Sequence, residues 1–317
     1  MPMWCSSPAV GTPDAGCSRS PPSTPEGAAP RAGVRVVITN PFLDPDRQGE
    51  LYGHAARLAS RSSALMRAKT AGRPVPETIV QLAQAHRARS DRRIGLVADI
   101  GCGRGSSSQV LAQQLKPQRL VGIDASPALV AVARSRVSHR SGTQVAFLQG
   151  DFHHLPLPDD SCELAVAAFC LYHSPDPGRA IAEIARSLAP GGLAVLVTKA
   201  LDSYSDMDTL IAASGLDPRA ERHESLYATA HGGNLAELAQ LALDVVAVEH
   251  EEHGFEFSGL DHAAEYLATN PKYDLAPGLY GNPGALAAAL HEWHPDKPIT
   301  ATSDITYVVA RSAGGRT

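Results

Sequence analysis

Leu96-Val97-Ala98-Asp99-Ile100-Gly101-Cys102-Gly103-Arg104-Gly105 joins a short apolar run to three glycines at alternate positions. Beyond it, Ser106 to Leu115 carries Val110, Leu111 and Leu115 at helical spacing. The reading is strand, tight glycine turn, helix, an arrangement that lets backbone approach a ligand at a helix N-terminus. The dinucleotide fingerprint G-x-G-x-x-G is not met, because Ser106 holds the third glycine's place and Gly105 comes one residue early. Asp99 stands two residues before the first glycine, where a cationic ligand head is favoured. Arg119 to Ile123 then leads into Asp124, nineteen residues past Gly105 and placed to accept hydrogen bonds from ribose hydroxyls. Together these residues ask for a nucleoside with a positive appendage rather than a pyrophosphate.

Outward from this stretch, strands and helices alternate. Strands are expected at 96–100, 119–123, 144–149, 163–169 and 193–198, and helices at 106–116, 126–138 and 177–188. That alternation implies a parallel sheet covered on both faces. Ser126-Pro127 is an N-cap followed by proline at the first helical position, and Gly191-Gly192 reads as a helix stop. Past the fifth strand the pattern gives a helix at 203–214, an extended piece at 226–231 and a helix at 234–243. A long strand at 244–257, helices at 261–268 and 283–293, and a closing strand at 305–310 follow. Pro271 to Pro283, with Tyr273 and Tyr280, reads as a loop at a substrate entrance.

At this point the chain resembles the class I S-adenosylmethionine-dependent methyltransferases. Asp99, Gly101, Gly103 and Gly105 match D-x-G-x-G-x-G, and V-G-I-D-A-S at 121–126 matches the ribose-binding strand end. G-D-F-H-H-L-P-L-P-D-D-S at 150–161 is similar to the segment beside the adenine. F-C-L-Y-H-S-P-D at 169–176 resembles the turn after strand four, and L-A-P-G-G-L at 188–193 the approach to strand five. Five matches in order over roughly 94–200 are far more specific than a lone glycine turn. Glu163 replaces the usual Asp opening strand four. The resemblance implies an α/β, Rossmann-like, doubly wound fold: a mostly parallel seven-stranded sheet with an antiparallel final strand. An N-terminal helical cap over 34–93 and an inserted helix near 202–217 would be added to a methyltransferase domain over 94–311. It implies S-adenosylmethionine as cofactor, held by Asp99, Gly101, Gly103, Gly105, Asp124, Ala125, Asp151, Phe152 and Phe169, with Tyr52 of the cap a candidate to lie over it.

Composition excludes other classes. The net charge of −5 offers no footprint for nucleic acid, and 44% apolar content is enough for a core. Five cysteines without metal or C-x-x-C spacing suit a reduced, cytoplasmic chain. Neither a signal-peptide stretch nor an 18-residue apolar run is apparent, so no membrane partner is expected. Residues 1–33 hold seven prolines and read as a disordered tail containing Cys5 and Cys17. Asn40-Pro41-Phe42 echoes the N-P-P-[YF] of nucleic-acid amino methyltransferases, but one proline is missing and the tripeptide precedes the glycine loop.

Of thirteen histidines, the pairs 153/154, 223/231, 250/253 and 291/294 lack metal-ligand company, and 250/253 sits in a glutamate-rich strand read as a solvated face. No metal is expected. His173 differs, because it lies just past strand four, where open α/β sheets place ligands. It is the candidate general base for an acceptor that must lose a proton, with Tyr172 and Lys199 as weaker candidates. The expected activity is methyl transfer to the oxygen or nitrogen of a small metabolite, secondary metabolism included, by a monomer or homodimer. An NAD(P)-linked oxidoreductase and a catalytically silent cofactor-binding module stay open as alternatives.

Overall fold

The structure is a computed structural model that describes residues 40–53, 55–87, 92–137 and 142–312. Contacts divide the chain into residues 1–37 and 38–317. The expected tail over 1–33, with Cys5 and Cys17, and the first residues of the expected cap, 34–39, fall outside the described residues.

Three helices precede the first strand: α1 (Pro45–Tyr52), α2 (Ala55–Ala68) and α3 (Val75–His86). Strand β1 (Leu96–Ile100) is buried at all five positions, as expected for a central parallel strand covered on both faces. It is followed by α4 (Ser106–Gln114), β2 (Arg119–Asp124), α5 (Pro127–Arg136), β3 (Gln144–Gln149), β4 (Cys162–Ala168), α6 (Pro177–Ser187) and β5 (Leu188–Lys199). The remainder is α7 (Ser205–Ala213), α8 (Leu235–Gln240), β6 (Leu243–Phe257), α9 (Leu260–Leu267), α10 (Pro283–His291) and β7 (Ile299–Ser312). The sheet order is β3-β2-β1-β4-β5-β7-β6, with β1 to β5 parallel and β7 antiparallel to both its neighbours. Among the described residues no helix is long and apolar enough to cross a membrane.

Local chemistry starts these helices. Asp44, Ser126, Asp176 and Asn282 each precede a proline at the first helical position, and each side chain accepts a backbone N–H of the first turn. One face of the sheet packs on α3, α4 and α5 through Ile79, Leu111 and Val130, and the other on α6 and α8 through Ile181, Ile184 and Leu235. A third cluster, with Met207, Phe255, Phe257, Leu260 and Leu286, gathers α2, α7, α9 and α10 at the far ends of β6 and β7.

Three expectations need correction. Residues 226–231 form turns instead of an extended piece, because the Asn234 side chain satisfies the backbone there: its Nδ2 donates to Thr229 O at 3.1 Å and its Oδ1 accepts the His231 N–H at 2.7 Å. The helix before β5 ends at Ser187, ahead of Gly191-Gly192, since Leu188 already pairs with Cys162. His253 is 3% exposed, because the far end of β6 runs beneath the α2–α3 connection, where Thr70 N–H donates to Gly254 O.

Candidate active site

The glycine turn leaves β1 with Gly101, Gly103 and Gly105 all at positive φ, between 53° and 77°. A Cβ on Gly101 would sit 2.4 Å from Cys170 Cβ, whereas one on Gly103 meets nothing within 4 Å. The loop is thus packed from behind and open in front. Asp124, at the end of β2, accepts Gly103 N–H on Oδ2 at 2.8 Å and Ser126 N–H on Oδ1 at 2.9 Å. Each carboxylate oxygen keeps a further lone pair. Burial raises its pKa against those two backbone bonds. Asp99 is 1% exposed and accepts Ser108 Oγ–H at 2.5 Å. Burial, opposed by Ser108 and reinforced by the charge of Asp124, pushes its carboxyl up to about 7. Two acids and an open glycine backbone at the C-terminal strand ends fit a nucleoside bearing a cationic head, as S-adenosylmethionine does.

On the adenine side, Asp151 Oδ1 accepts both the backbone N–H of His153 at 2.8 Å and its Nδ1–H at 2.9 Å. Burial opposes ionisation of Asp151, but the His153 bonds outweigh it and lower the pKa. His153 Nε2 in turn accepts Ser174 Oγ–H at 2.7 Å. The sequence dismissed His153; the structure shows it tying the Asp151 turn to the turn after β4. This Asp-His-Ser chain has no free nucleophile, since Ser174 is fully buried and its Oγ also accepts Asp176 N–H. Phe152 is half-buried beside it.

The cap reaches the same strand ends. Tyr52, at the end of α1, takes the Ser126 hydroxyl on its carbonyl at 2.8 Å, and its phenol lies 2.7 Å from His173 Nε2. His173 Nδ1 faces Cys170 O at 3.1 Å, which makes Nδ1 the protonated nitrogen and Nε2 the acceptor of the Tyr52 proton. Both ring nitrogens are therefore engaged, and direct proton abstraction from an acceptor would need Tyr52 to move or relay. Burial, with a smaller push from the Arg61 guanidinium, lowers the His173 pKa to about 4. Asn40-Pro41-Phe42 also arrives here: Phe42 stacks on His173 at 4.4 Å and on Tyr172 at 5.5 Å, and Asn40 Nδ2 donates to Ser225 O at 3.0 Å. The tripeptide fastens the cap.

On the other side of β4, Phe169 (φ 59°) and Tyr204 (φ 66°) are non-glycine residues held in the left-handed region. Both face Lys199, whose Nζ lies 5.4 Å from the Phe169 ring, 4.5 Å from Tyr204 and 5.4 Å from Tyr227. Phe169 directly follows β4 and Tyr204 is the N-cap residue of α7. Arg61 of α2, Tyr204 and Tyr227 carried no motif, so the sequence reading passed over them; only their meeting in space reveals them.

Residues 98–196 match the profile described as "Methyltransferase domain". An uncharacterized 37.1 kDa protein of transposon TN4556 from Streptomyces fradiae is 35% identical over 179 residues, covering 52% of this chain and 49% of that protein. The malonyl-[acyl-carrier protein] O-methyltransferase of Yersinia pestis is 29% identical over 169 residues, covering 53% and 56%. The chain spans about half the length of these curated relatives. A provisionally assigned methyltransferase of Bacillus halodurans C-125 superposes with a TM-score of 0.51 at 15% identity, covering 74% of this chain and 99% of that one, which shows a common fold. The profile lies over β1 to β5, with the acids and the open glycine loop at their ends and the seven-stranded order around them: residues 98–196 match a methyltransferase domain, and the chain has the Rossmann-like fold of its methyltransferase neighbour.

Proposed function

We propose that this chain moves the methyl group of S-adenosylmethionine to the oxygen or nitrogen of a small-molecule acceptor. The observation that carries the reading is the opening over Gly103, flanked by Asp124 and Asp99, beside an aromatic chamber around Lys199. Bound, the cofactor supplies an electrophilic methyl on a sulfonium. Asp124 takes the ribose, Asp151 and Phe152 border the adenine, and Asp99 faces the methionine head; Ala125, Phe169 and Tyr52 border the same space. Attack in line with the breaking bond needs alignment above all, and well-oriented encounters are worth about 7–11 kcal/mol.

His173 acts in this scheme by fixing Tyr52. A neutral imidazole with a pKa near 4 is a poor base for a hydroxyl at neutral pH, while its Nε2 lone pair holds the phenol over the cofactor side. An oxygen acceptor is favoured among the relatives, several of which are named for O-methylation of a malonyl group on acyl-carrier protein. Calorimetry with S-adenosylhomocysteine and with NAD tests the cofactor. Release of S-adenosylhomocysteine against a metabolite extract tests transfer. Binding of NAD without S-adenosylhomocysteine would refute the reading, and saturable cofactor binding with no turnover across broad extracts would mark a silent module.

A further inference from the structure

Asp151 lies two residues past Gln149, which is in register with Asp124 at the end of β2, and Gly150 N–H donates to Asp124 O at 3.1 Å. The two acids therefore stand at the C-terminal ends of adjacent strands, whose axes run about 5 Å apart. His153 gives Asp151 Oδ1 two donors from one residue, its backbone N–H at 2.8 Å and its Nδ1–H at 2.9 Å. The backbone bond alone would let the carboxyl pivot about it; the imidazole bond fixes its tilt as well. Oδ2 takes no hydrogen bond among the described residues. The Asp151 side chain is 60% exposed and that of His153 18%, so the carboxylate is within reach of a ligand and the imidazole stands behind it.

An imidazole donates from Nδ1 only when its proton is there. Ser174 selects that form. Its oxygen is buried and accepts Asp176 N–H at 2.9 Å, and its own hydrogen goes to His153 Nε2 at 2.7 Å. A proton on Nε2 would leave the buried hydroxyl hydrogen without this acceptor, at the cost of an unmet donor. The chain beyond is pinned to α6: His154 Nε2 accepts Arg179 Nη2–H at 2.9 Å, and Leu155 N–H donates to Glu183 Oε1 at 2.9 Å. Phe152 is half-buried and meets the His153 ring edge to face, with centroids 4.7 Å apart. Beside the ribose acid, the turn thus offers one apolar ring and one unengaged carboxylate oxygen. A carboxylate can only accept, so what it recognises on a base is a donor, such as the exocyclic amine of adenine.

We propose that His153 is the positioning residue of the base site: held by Ser174 in its Nδ1–H form, it fixes the Asp151 carboxylate so that Oδ2 accepts the exocyclic amine of adenine. The site then selects an adenine nucleoside over a purine lacking that amine, because the analogue leaves a built acceptor unmet. The inference rests on the methyl-transfer reading, in which Asp151 and Phe152 border the adenine.

The probes are S-adenosylhomocysteine and its 6-deamino analogue, which differ only in the amine, titrated by calorimetry into the full chain. The unaltered protein should bind S-adenosylhomocysteine about ten- to a hundred-fold tighter than the analogue, the range of a bond to a charged acceptor. His153→Ala should cut that preference about fivefold or more while leaving affinity for the analogue unchanged, whereas general loosening of the turn would weaken both ligands alike. His153→Asn, whose amide nitrogen can take the place of Nδ1, should keep the preference. His153→Gln, whose amide nitrogen reaches towards Ser174 instead, should lose it. A preference undiminished in His153→Ala, no rescue by His153→Asn, or both ligands weakened by the same factor would overturn the proposal and leave methyl transfer standing. Equal binding of the two ligands by the unaltered protein would remove the amine from Asp151 and overturn it as well. Failure of S-adenosylhomocysteine to bind the unaltered protein would refute the methyl-transfer reading and the proposal with it.

Discussion

Cofactor affinity should fall steeply below neutral pH, and Asp99 should be the cause. Its carboxyl is 1% exposed, accepts the Ser108 hydroxyl and sits within the influence of Asp124, so burial raises it to about 7. A cationic methionine head draws the ionised form. Two pH units below the free-state pKa only about one molecule in a hundred carries that charge, a penalty of about 3 kcal/mol at 1.36 kcal/mol per unit. S-adenosylhomocysteine should therefore bind roughly a hundred-fold more weakly at pH 5 than on its plateau above pH 8. Calorimetry in two buffers of different ionisation heat should also detect about one proton released per ligand bound near pH 5.5. Asp99→Asn keeps the shape and removes the charge, so it should bind weakly at every pH and flatten the slope. An affinity constant within twofold from pH 5 to 8, or an Asp99→Asn protein with the original slope, would show that Asp99 does not answer the ligand's charge.

The same group acts on stability with a definite sign. The folded-state pKa of Asp99 lies above its unfolded value, so the native state holds the proton more tightly. Ligand-free stability should then decline as pH rises from about 4 to 7, by up to about 4 kcal/mol from this group. Asp99→Asn should lose that decline, which urea titrations at pH 4.5 and 7.5 would show.

Other outcomes separate packing from binding. Gly101→Ala should lower the thermal midpoint, because its Cβ meets Cys170 at 2.4 Å, while Gly103→Ala should cost only the strain of its positive φ, about 1–2 kcal/mol, and abolish S-adenosylhomocysteine binding; equal damage to both would refute the open face of the loop. Asp124→Ala orphans the Gly103 and Ser126 N–H groups and should weaken the cofactor at least tenfold by calorimetry, at about 1.5–3 kcal/mol per charged bond. His173→Ala should reduce the maximal rate less than about tenfold with no change in its pH profile between 6 and 8, and His173→Gln, which keeps an acceptor for Tyr52, should restore it. A loss of 10²–10⁴ with an acid limb that vanishes in the variant would make His173 the base.

What the sequence made legible was local. Strand, glycine turn and helix at 96–115, the Ser126-Pro127 cap and the order of β1 to β5 each depend on residues within one βα unit, and their spacing carries them. The cluster around Lys199 depends on long-range meetings instead. Arg61 comes from the cap, Lys199 from β5 and Tyr266 from α9, and no periodicity connects them. His153 and His253 failed for a related reason: a histidine's partners, Asp151 with Ser174 or the α2–α3 connection, are set by how loops and strand ends fold over. At 226–231 the aromatic and β-branched residues imitated a strand, and the side-chain bonds that hold the turns leave no periodic mark.

The charges at this end of the sheet are sorted by strand. Asp99 and Asp124 belong to β1 and β2, Lys199 to β5, and β4 runs between with Phe169 at its tip. Two strand spacings put roughly 10 Å between the acid side and the cation side. That separation keeps the groups from neutralising one another, and each is left without an ionic partner of its own among the described residues. Burying such groups unpaired is unfavourable, so the ligand-free protein holds both at a cost in stability. A ligand cation over β1 and β2 would answer the two acids. Phe169, Tyr52 and the neutral His173 occupy the ground between the acids and Lys199.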